Sequence, residues 1–244
     1  MILAHNSALP ETTIAGRVAS LGDWITGFMI NGVRYGGHYN PDTDDRLWLF
    51  IEKLNSLANS PADILECGCL EGGHTITLAK TFPSATIHAV DVRPENLAKA
   101  KLLTELTESA NVTFLQDDFD APAICFQRNY DAVFCVGLLY HLRWPQEFLR
   151  QACSSSPILW LWTVYCDENE IATMEEKHRG RIYIEPKHHP LSAVREESFF
   201  PSLGSLIEFI WEAGYTHIEL VRKEMTKNGN GPAVMLCATR ATRK

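Results

Sequence analysis

Ile64-Leu65-Glu66-Cys67-Gly68-Cys69-Leu70-Glu71-Gly72-Gly73-His74-Thr75 is an apolar strand that runs into a glycine-bearing turn and opens a helix. Loops of this kind hold nucleotide-type ligands, because glycine permits a sharp turn and a close approach of backbone to ligand. A dinucleotide fingerprint needs glycine at position 70, where the backbone lies against a pyrophosphate, and Leu70 stands there instead. This argues against NAD and FAD. No Gly-x-x-x-x-Gly-Lys-Ser/Thr run occurs, so a P-loop is excluded as well. A ligand without phosphates is compatible with the loop.

Outward from the loop, apolar and β-branched runs recur at residues 64–67, 86–91, 112–116, 131–136, 157–165, 217–222 and 233–239. Helix-period segments separate the first five, which predicts a parallel sheet with helices on both faces. The last two flank Lys227-Asn228-Gly229-Asn230-Gly231-Pro232, a turn signal that predicts an antiparallel hairpin at the sheet edge. Leu203, Leu206, Ile207, Ile210 and Trp211 follow helical spacing between Pro201-Ser202 and Gly214. Leu47, Phe50, Ile51, Leu54 and Ala58 repeat that spacing after Asp44 and Asp45, acids suited to a helix start. Residues 1–60 are expected to form an N-terminal helical cap, and residues 61–244 the main domain with a loop insertion at about 167–201.

Acidic residues mark successive strand ends. Asp91 closes the second strand, where a carboxylate can accept both hydroxyls of a ribose, and Asp118 follows the third, where it can accept from an adenine amino group. With Glu66 and the Gly68 and Gly72 loop, these residues fall on the carboxyl edge of the sheet, where open α/β sheets bind ligands. The order of Glu66, Gly68, Gly72, Asp91 and Asp118 resembles the class I S-adenosylmethionine-dependent methyltransferases, most closely over residues 62–165. The resemblance implies a Rossmann-like, seven-stranded, mostly parallel sheet closed by an antiparallel hairpin, with S-adenosyl-L-methionine as cofactor. It implies further that Gly68 and Gly72 cradle the methionine part, Asp91 the ribose, and Asp118 with the Phe119 amide the adenine.

Residues 131–145, which include Gly137, Tyr140 and His141, together with Ser198-Phe199-Phe200-Pro201-Ser202, look like the branch that holds tRNA wobble-uridine carboxymethyltransferases and their small-molecule relatives. Gly137 and Tyr140 are expected at the cofactor. His141 follows the fourth strand and is the candidate base, since imidazole can remove a proton near neutral pH. Tyr140, Trp162, Tyr165, Phe199 and Phe200 offer rings to wall an acceptor pocket. Tyr35, His38 and Tyr39, among glycines, are expected in a lid, with Tyr39 at the substrate.

From Lys177 to Arg195 lie five cations, Lys177, Arg179, Arg181, Lys187 and Arg195, with His178, His188 and His189. Arg179, Arg181 and Arg195 are candidates to hold an acidic handle on the acceptor, because an Arg fork matches a carboxylate. The alternative is neutralisation by the acidic run Asp167, Glu168, Glu170, Glu175 and Glu176 just upstream.

The remaining composition narrows the function classes. Lys and Arg number 22 against 30 Asp and Glu, a net charge of −8 that opposes attraction to nucleic acid or an anionic membrane. No apolar run approaches the roughly 20 residues of a membrane span, and Met1 to Pro10 does not read as a signal peptide, so the expected location is cytoplasmic. The cysteines number 7, and those at 67, 69, 125, 135 and 237 sit in apolar, strand-like contexts that suit reduced, buried thiols. Cys67 and Cys69 lack a second pair to complete a zinc site, and no metal is expected. The expectation is an enzyme that methylates an O, N or activated C atom of a small molecule, in an oligomeric state left open. The alternatives are a tRNA-modifying methyltransferase and a non-methylating cofactor-binding protein on the same scaffold.

Overall fold

The computed structural model describes residues 13–171, 173–175, 178–186, 191–226 and 231–241. Helix α1 (Ile14–Ser20) is capped by Thr13, whose hydroxyl accepts from the Gly16 amide. Strands β1 (Gly27–Ile30) and β2 (Val33–Gly36) then pair antiparallel across Asn31 and Gly32, both at positive φ, the chemistry of a tight hairpin turn. Asp44 caps α2 (Asp45–Asn55), its side chain accepting from the Arg46 amide. The expected helical cap is therefore helix, hairpin and helix. Asn31-Gly32 is the signal that the helical reading passed over.

From β3 (Asp63–Cys67) the chain alternates through α3 (Gly73–Thr81), β4 (Thr86–Asp91), α4 (Pro94–Leu106), β5 (Val112–Gln116), β6 (Ala132–Val136), α5 (Pro145–Ser155) and β7 (Ile158–Val164). Residues 167–201, expected as irregular, instead build a three-stranded antiparallel sheet of β8 (Thr173–Glu175), β9 (His178–Ile184) and β10 (Glu197–Pro201). Tyr183 and Phe200 stack within it. Helix α6 (Leu203–Ala213) and the hairpin β11 (His217–Met225) with β12 (Pro232–Thr239) complete the fold. The turn proposed at 227–230 lies outside the described residues, as do Lys177, Lys187, His188 and His189.

The main sheet runs β11-β12-β7-β6-β3-β4-β5, parallel from β7 to β5 and antiparallel at β12 and β11. The chain winds from β3 outward to β5 and then returns to β6 on the other side of β3. That reversal opens a crevice at the carboxyl ends of β3 and β6.

Strand alternation sends side chains to two cores. Leu65, Val133, Leu159, Leu161 and Leu236 face α5 and α6, while Ile64, Phe134, Trp160 and Met235 face α2 and α3. On α6 the buried stripe holds Leu206, Phe209 and Ile210, and Trp211 is 56% exposed, so the expected stripe is rotated by part of a turn. Ala58, expected on the α2 stripe, lies beyond the end of that helix at an exposed position.

Candidate active site

At the crevice, Gly68 leaves β3 at φ +75 and Gly137 leaves β6 at φ +82, both in the left-handed region that favours glycine. Leu70 also has positive φ, +51, which turns its amide toward Asp91 Oδ2 at 2.9 Å. Asp91 Oδ1 accepts from the Arg93 amide at 2.9 Å and from Asn96 Nδ2 at 3.1 Å. Burial pushes the Asp91 carboxyl above its ordinary pKa, and these three hydrogen bonds oppose that shift.

A cavity of about 140 Å³ opens over this edge, lined by Gly68, Leu70, Asp91, Asp118, Phe119, Gly137, Tyr140 and His141. Its donor and acceptor set fits an adenosyl sulfonium ligand. Asp91 and Asp118 are acceptors on neighbouring strand ends, Leu70 and Phe119 give apolar walls, and a Cβ built at Gly137 would meet no atom within 4 Å. Six of the eight residues expected at the cofactor therefore share this cavity.

The other two lie behind it. Glu66 is buried beneath the loop and accepts from the Thr75 hydroxyl at 2.5 Å; burial pushes its pKa up to about 8. Gly72 caps α3 at φ +80, and a Cβ there would stand 3.0 Å from the Ala100 Cβ on α4. Close packing of α3 on α4 accounts for that glycine.

His141 ends a short 3₁₀ turn, Leu139–His141, with its ring 4.2 Å from that of Tyr140. Its Nδ1 lies 3.0 Å from Glu185 Oε1, just beyond the end of β9. Glu185 also accepts from the Ser198 hydroxyl at 2.8 Å and the Ala193 amide at 3.2 Å. Burial disfavours its charge, but the bonds from His141, Ser198 and Ala193 hold its carboxyl below the usual range. A bond from Nδ1–H to a carboxylate sets the tautomer and leaves Nε2 as the basic nitrogen. Sequence reasoning missed this partner, because 44 residues and no motif connect it to His141.

A second cavity, of about 570 Å³, adjoins the first. Trp24 and Ile25, the start of α4 and residues 192–196 line it, and Arg93, Asn96 and residues 192–194 border both spaces. Arg93 Nη2 donates to the Ser192 carbonyl at 2.6 Å, and Arg195 sits 3.2 Å from Asp120 and 3.6 Å from Asp118. Residues 192–195 thus form a strap tied down on both sides of the smaller cavity. Glu71, another residue sequence reasoning missed, is buried where the loop meets the cap. It accepts from the amides of Ile25 and Thr26 and from Lys99 Nζ.

The expected acceptor residues divide. Arg195 lines the larger cavity, whereas Tyr35, His38 and Tyr39 line neither space. Tyr39 is held by Asp44 Oδ2 at 2.5 Å and His74 Nε2 at 2.6 Å, and Arg46 also pairs with Asp44. Trp162 donates to Glu224 Oε1 at 2.7 Å with the Arg46 guanidinium 4.5 Å from its ring centre, so it backs the cavity rather than lining it. Phe200 packs on Tyr183 and Tyr140, while Phe199 and Tyr165 belong to the opposite core. Arg179 pairs with Glu168 at 3.4 Å and Arg181 with Glu170 at 3.5 Å, away from both cavities, so neutralisation by the upstream acids describes these two cations. Cys67 and Cys69 point into separate clusters because Cys69 lies in the turn.

A family model described as a methyltransferase domain matches residues 64–155. The chain is 24% identical over 191 residues to a tRNA U34 carboxymethyltransferase of Campylobacter lari, spanning 75% of this chain and 60% of the relative. It is 31% identical over 108 residues to a malonyl-[acyl-carrier protein] O-methyltransferase of Halalkalibacterium halodurans, spanning 42% of this chain and 38% of the relative. Among solved structures, the N-terminal domain of EvdMO1 with SAH bound superposes with a TM-score of 0.83 at 25% identity, covering 96% of this chain and 98% of that one. The same domain in the presence of SAH and D-fucose gives 0.81 at 27% identity, over 94% and 96%. Sheet order, the crevice at Gly68 and Gly137, and these likenesses agree: residues 64–155 match a methyltransferase domain, the chain has the fold of the class I methyltransferases, and the likenesses indicate S-adenosylmethionine as the cofactor.

Proposed function

We propose that the protein methylates a hydroxyl oxygen of a small molecule, with His141 as general base and Glu185 holding it. The observation that carries this reading is the Glu185–His141 pair at the rim of the cofactor cavity. An alcohol is a weak nucleophile until its proton leaves, so a positioned imidazole matters most for oxygen acceptors. When bound, the cofactor supplies an electrophilic methyl group on a sulfonium. Asp91 and Asp118 would accept from its ribose and adenine, and Gly68 and Gly137 would let backbone approach it. His141 Nε2 takes the acceptor proton as the new bond forms, and Glu185 stabilises the resulting imidazolium. Tyr140, half-buried and with its pKa pushed up to about 12 by desolvation, stays neutral and shapes the wall.

The similarity to an O-methyltransferase and to a domain crystallised with SAH in the presence of D-fucose supports an oxygen acceptor. The test incubates the protein with methyl-labelled S-adenosylmethionine and a panel of alcohols, amines and carboxylic acids. Stoichiometric S-adenosylhomocysteine and methyl ether are expected from an alcohol. Transfer confined to amines or carboxylic acids would refute the hydroxyl reading. Asp91→Ala should weaken cofactor binding about 10-fold to 150-fold, the range for one charge-assisted hydrogen bond of about 1.5 to 3 kcal/mol.

A further inference from the structure

The larger cavity has a chemistry of its own. It touches the cofactor space along Arg93, Asn96 and residues 192–194, and it reaches Glu185, the partner of His141. Volumes of this order hold small-molecule ligands. Its three described cations are already engaged: Lys99 by Glu71, Arg195 by Asp118 and Asp120, and Arg93 by the Ser192 carbonyl. Against them the lining sets Asp23 and Glu95 as well as Glu71 and Glu185. The balance of the described lining is acidic. An anionic acceptor would meet net repulsion there, strongest at low salt because Asp23 and Glu95 are exposed. Neutral hydroxyl groups would meet carboxylate acceptors and the Asn96 amide, and the faces of Trp24 and Ile25 would take C–H surface.

We infer that this cavity is the acceptor chamber and that it selects an uncharged, polyhydroxylated molecule of sugar size over an anionic one. The inference rests on the oxygen-methylation reading and deepens it. It sets the chain apart from acceptors such as a nucleic acid, whose phosphates the chamber would repel.

The test uses the full chain with D-fucose and its anionic twin, D-fucose 1-phosphate, as probes. Binding of each is measured by calorimetry in the presence of S-adenosylhomocysteine. D-Fucose should bind at least 10-fold more tightly than the phosphate. Glu95→Lys and Asp23→Lys, both outside the cofactor cavity, should narrow or invert that preference while cofactor affinity stays within about twofold. Trp24→Ala should weaken D-fucose binding, and the charge variants keep the test decisive if that variant folds poorly. Equal or tighter binding of the phosphate, or no binding of D-fucose by a chain that binds the cofactor, overturns the chamber assignment. Strong discrimination for D-fucose without methylation of any alcohol would leave the chamber standing and sink the reaction instead.

Discussion

Glu185→Gln isolates the contribution of one charge. The carboxylate receives three donors, His141 Nδ1 and the Ser198 hydroxyl on Oε1 and the Ala193 amide on Oε2. A glutamine amide offers one oxygen where the carboxylate offers two, so the variant must surrender one of these bonds and all of the negative charge. A hydrogen bond to a charged group contributes about 1.5 to 3 kcal/mol. If that amount is lost only when His141 carries the acceptor proton, turnover falls about 10-fold to 150-fold, at 1.36 kcal/mol per tenfold. His141→Ala removes the base itself and should cost about 100-fold or more. Single-turnover methylation of an accepted alcohol gives the rate, and calorimetry with S-adenosylhomocysteine gives cofactor affinity, expected within about threefold of the parent in both variants. Glu185→Asp should recover part of the rate at high pH, a rescue that a packing role would not produce. A drop of less than threefold for both Glu185→Gln and His141→Ala would refute proton removal by this pair. Transfer would then depend on placing the acceptor oxygen alone.

Glu66 is buried with a folded pKa of about 8, above its ordinary value of 4.5, so the folded state holds a proton that the unfolded chain releases. Its stabilisation is complete below pH 4.5 and is lost as pH rises through about 8, a span worth about 5 kcal/mol at most. Glu66→Gln, which keeps an acceptor for Thr75, should therefore raise the melting temperature more at pH 8.5 than at pH 5; an equal shift at both would contradict the buried proton. Asp44 behaves oppositely. Burial opposes its charge, yet bonds from His74 and Arg46 hold its carboxyl far below the usual range, so its stabilisation is present at neutral pH and lost on acidification. Asp44→Asn should destabilise by about 3 to 5 kcal/mol, because it leaves the Arg46 charge without its partner, and denaturant unfolding at pH 7 should show it. Arg195→Ala should change stability by less than about 1 kcal/mol, since the side chain is 46% exposed, but should speed release of S-adenosylhomocysteine in stopped flow by freeing one side of the strap. An unchanged release rate would show that the strap does not gate the cavity.

The parts of this fold that follow local rules were legible in the sequence. Strand runs such as 64–67 and 86–91 carry their own period, and Gly68 and Asp91 sit at strand ends because ligand sites in such sheets form there. What escaped depends on contacts between distant segments. Glu185 meets His141 only after β9 and β10 pair, and Glu71 meets Ile25 and Thr26 only after the cap docks on the loop. Arg179 and Arg181 looked like ligand-binding cations because sequence shows charge but not the distance to the nearest opposite charge, here Glu168 and Glu170. Phe199 and Phe200 looked equivalent, yet successive strand residues point to opposite faces and only Phe200 packs on Tyr140.

All seven cysteines are free and buried, and burial drives the thiols of Cys67 and Cys69 well above their ordinary pKa. Because the thiolate is the species that reacts, the native protein is a slow target for alkylating reagents. Each thiol becomes a clock for its own neighbourhood. Cys166 labels when its bridge to Ser202, just past the end of β10, opens, whereas Cys67 and Cys135, on neighbouring strands at the centre of the main sheet, label only when that sheet opens. The order in which mass increments accumulate would rank the segments by local stability without any engineered probe. The same feature carries a hazard, since heating in air exposes the seven thiols together and invites scrambled disulfides, so reversible unfolding requires a reductant.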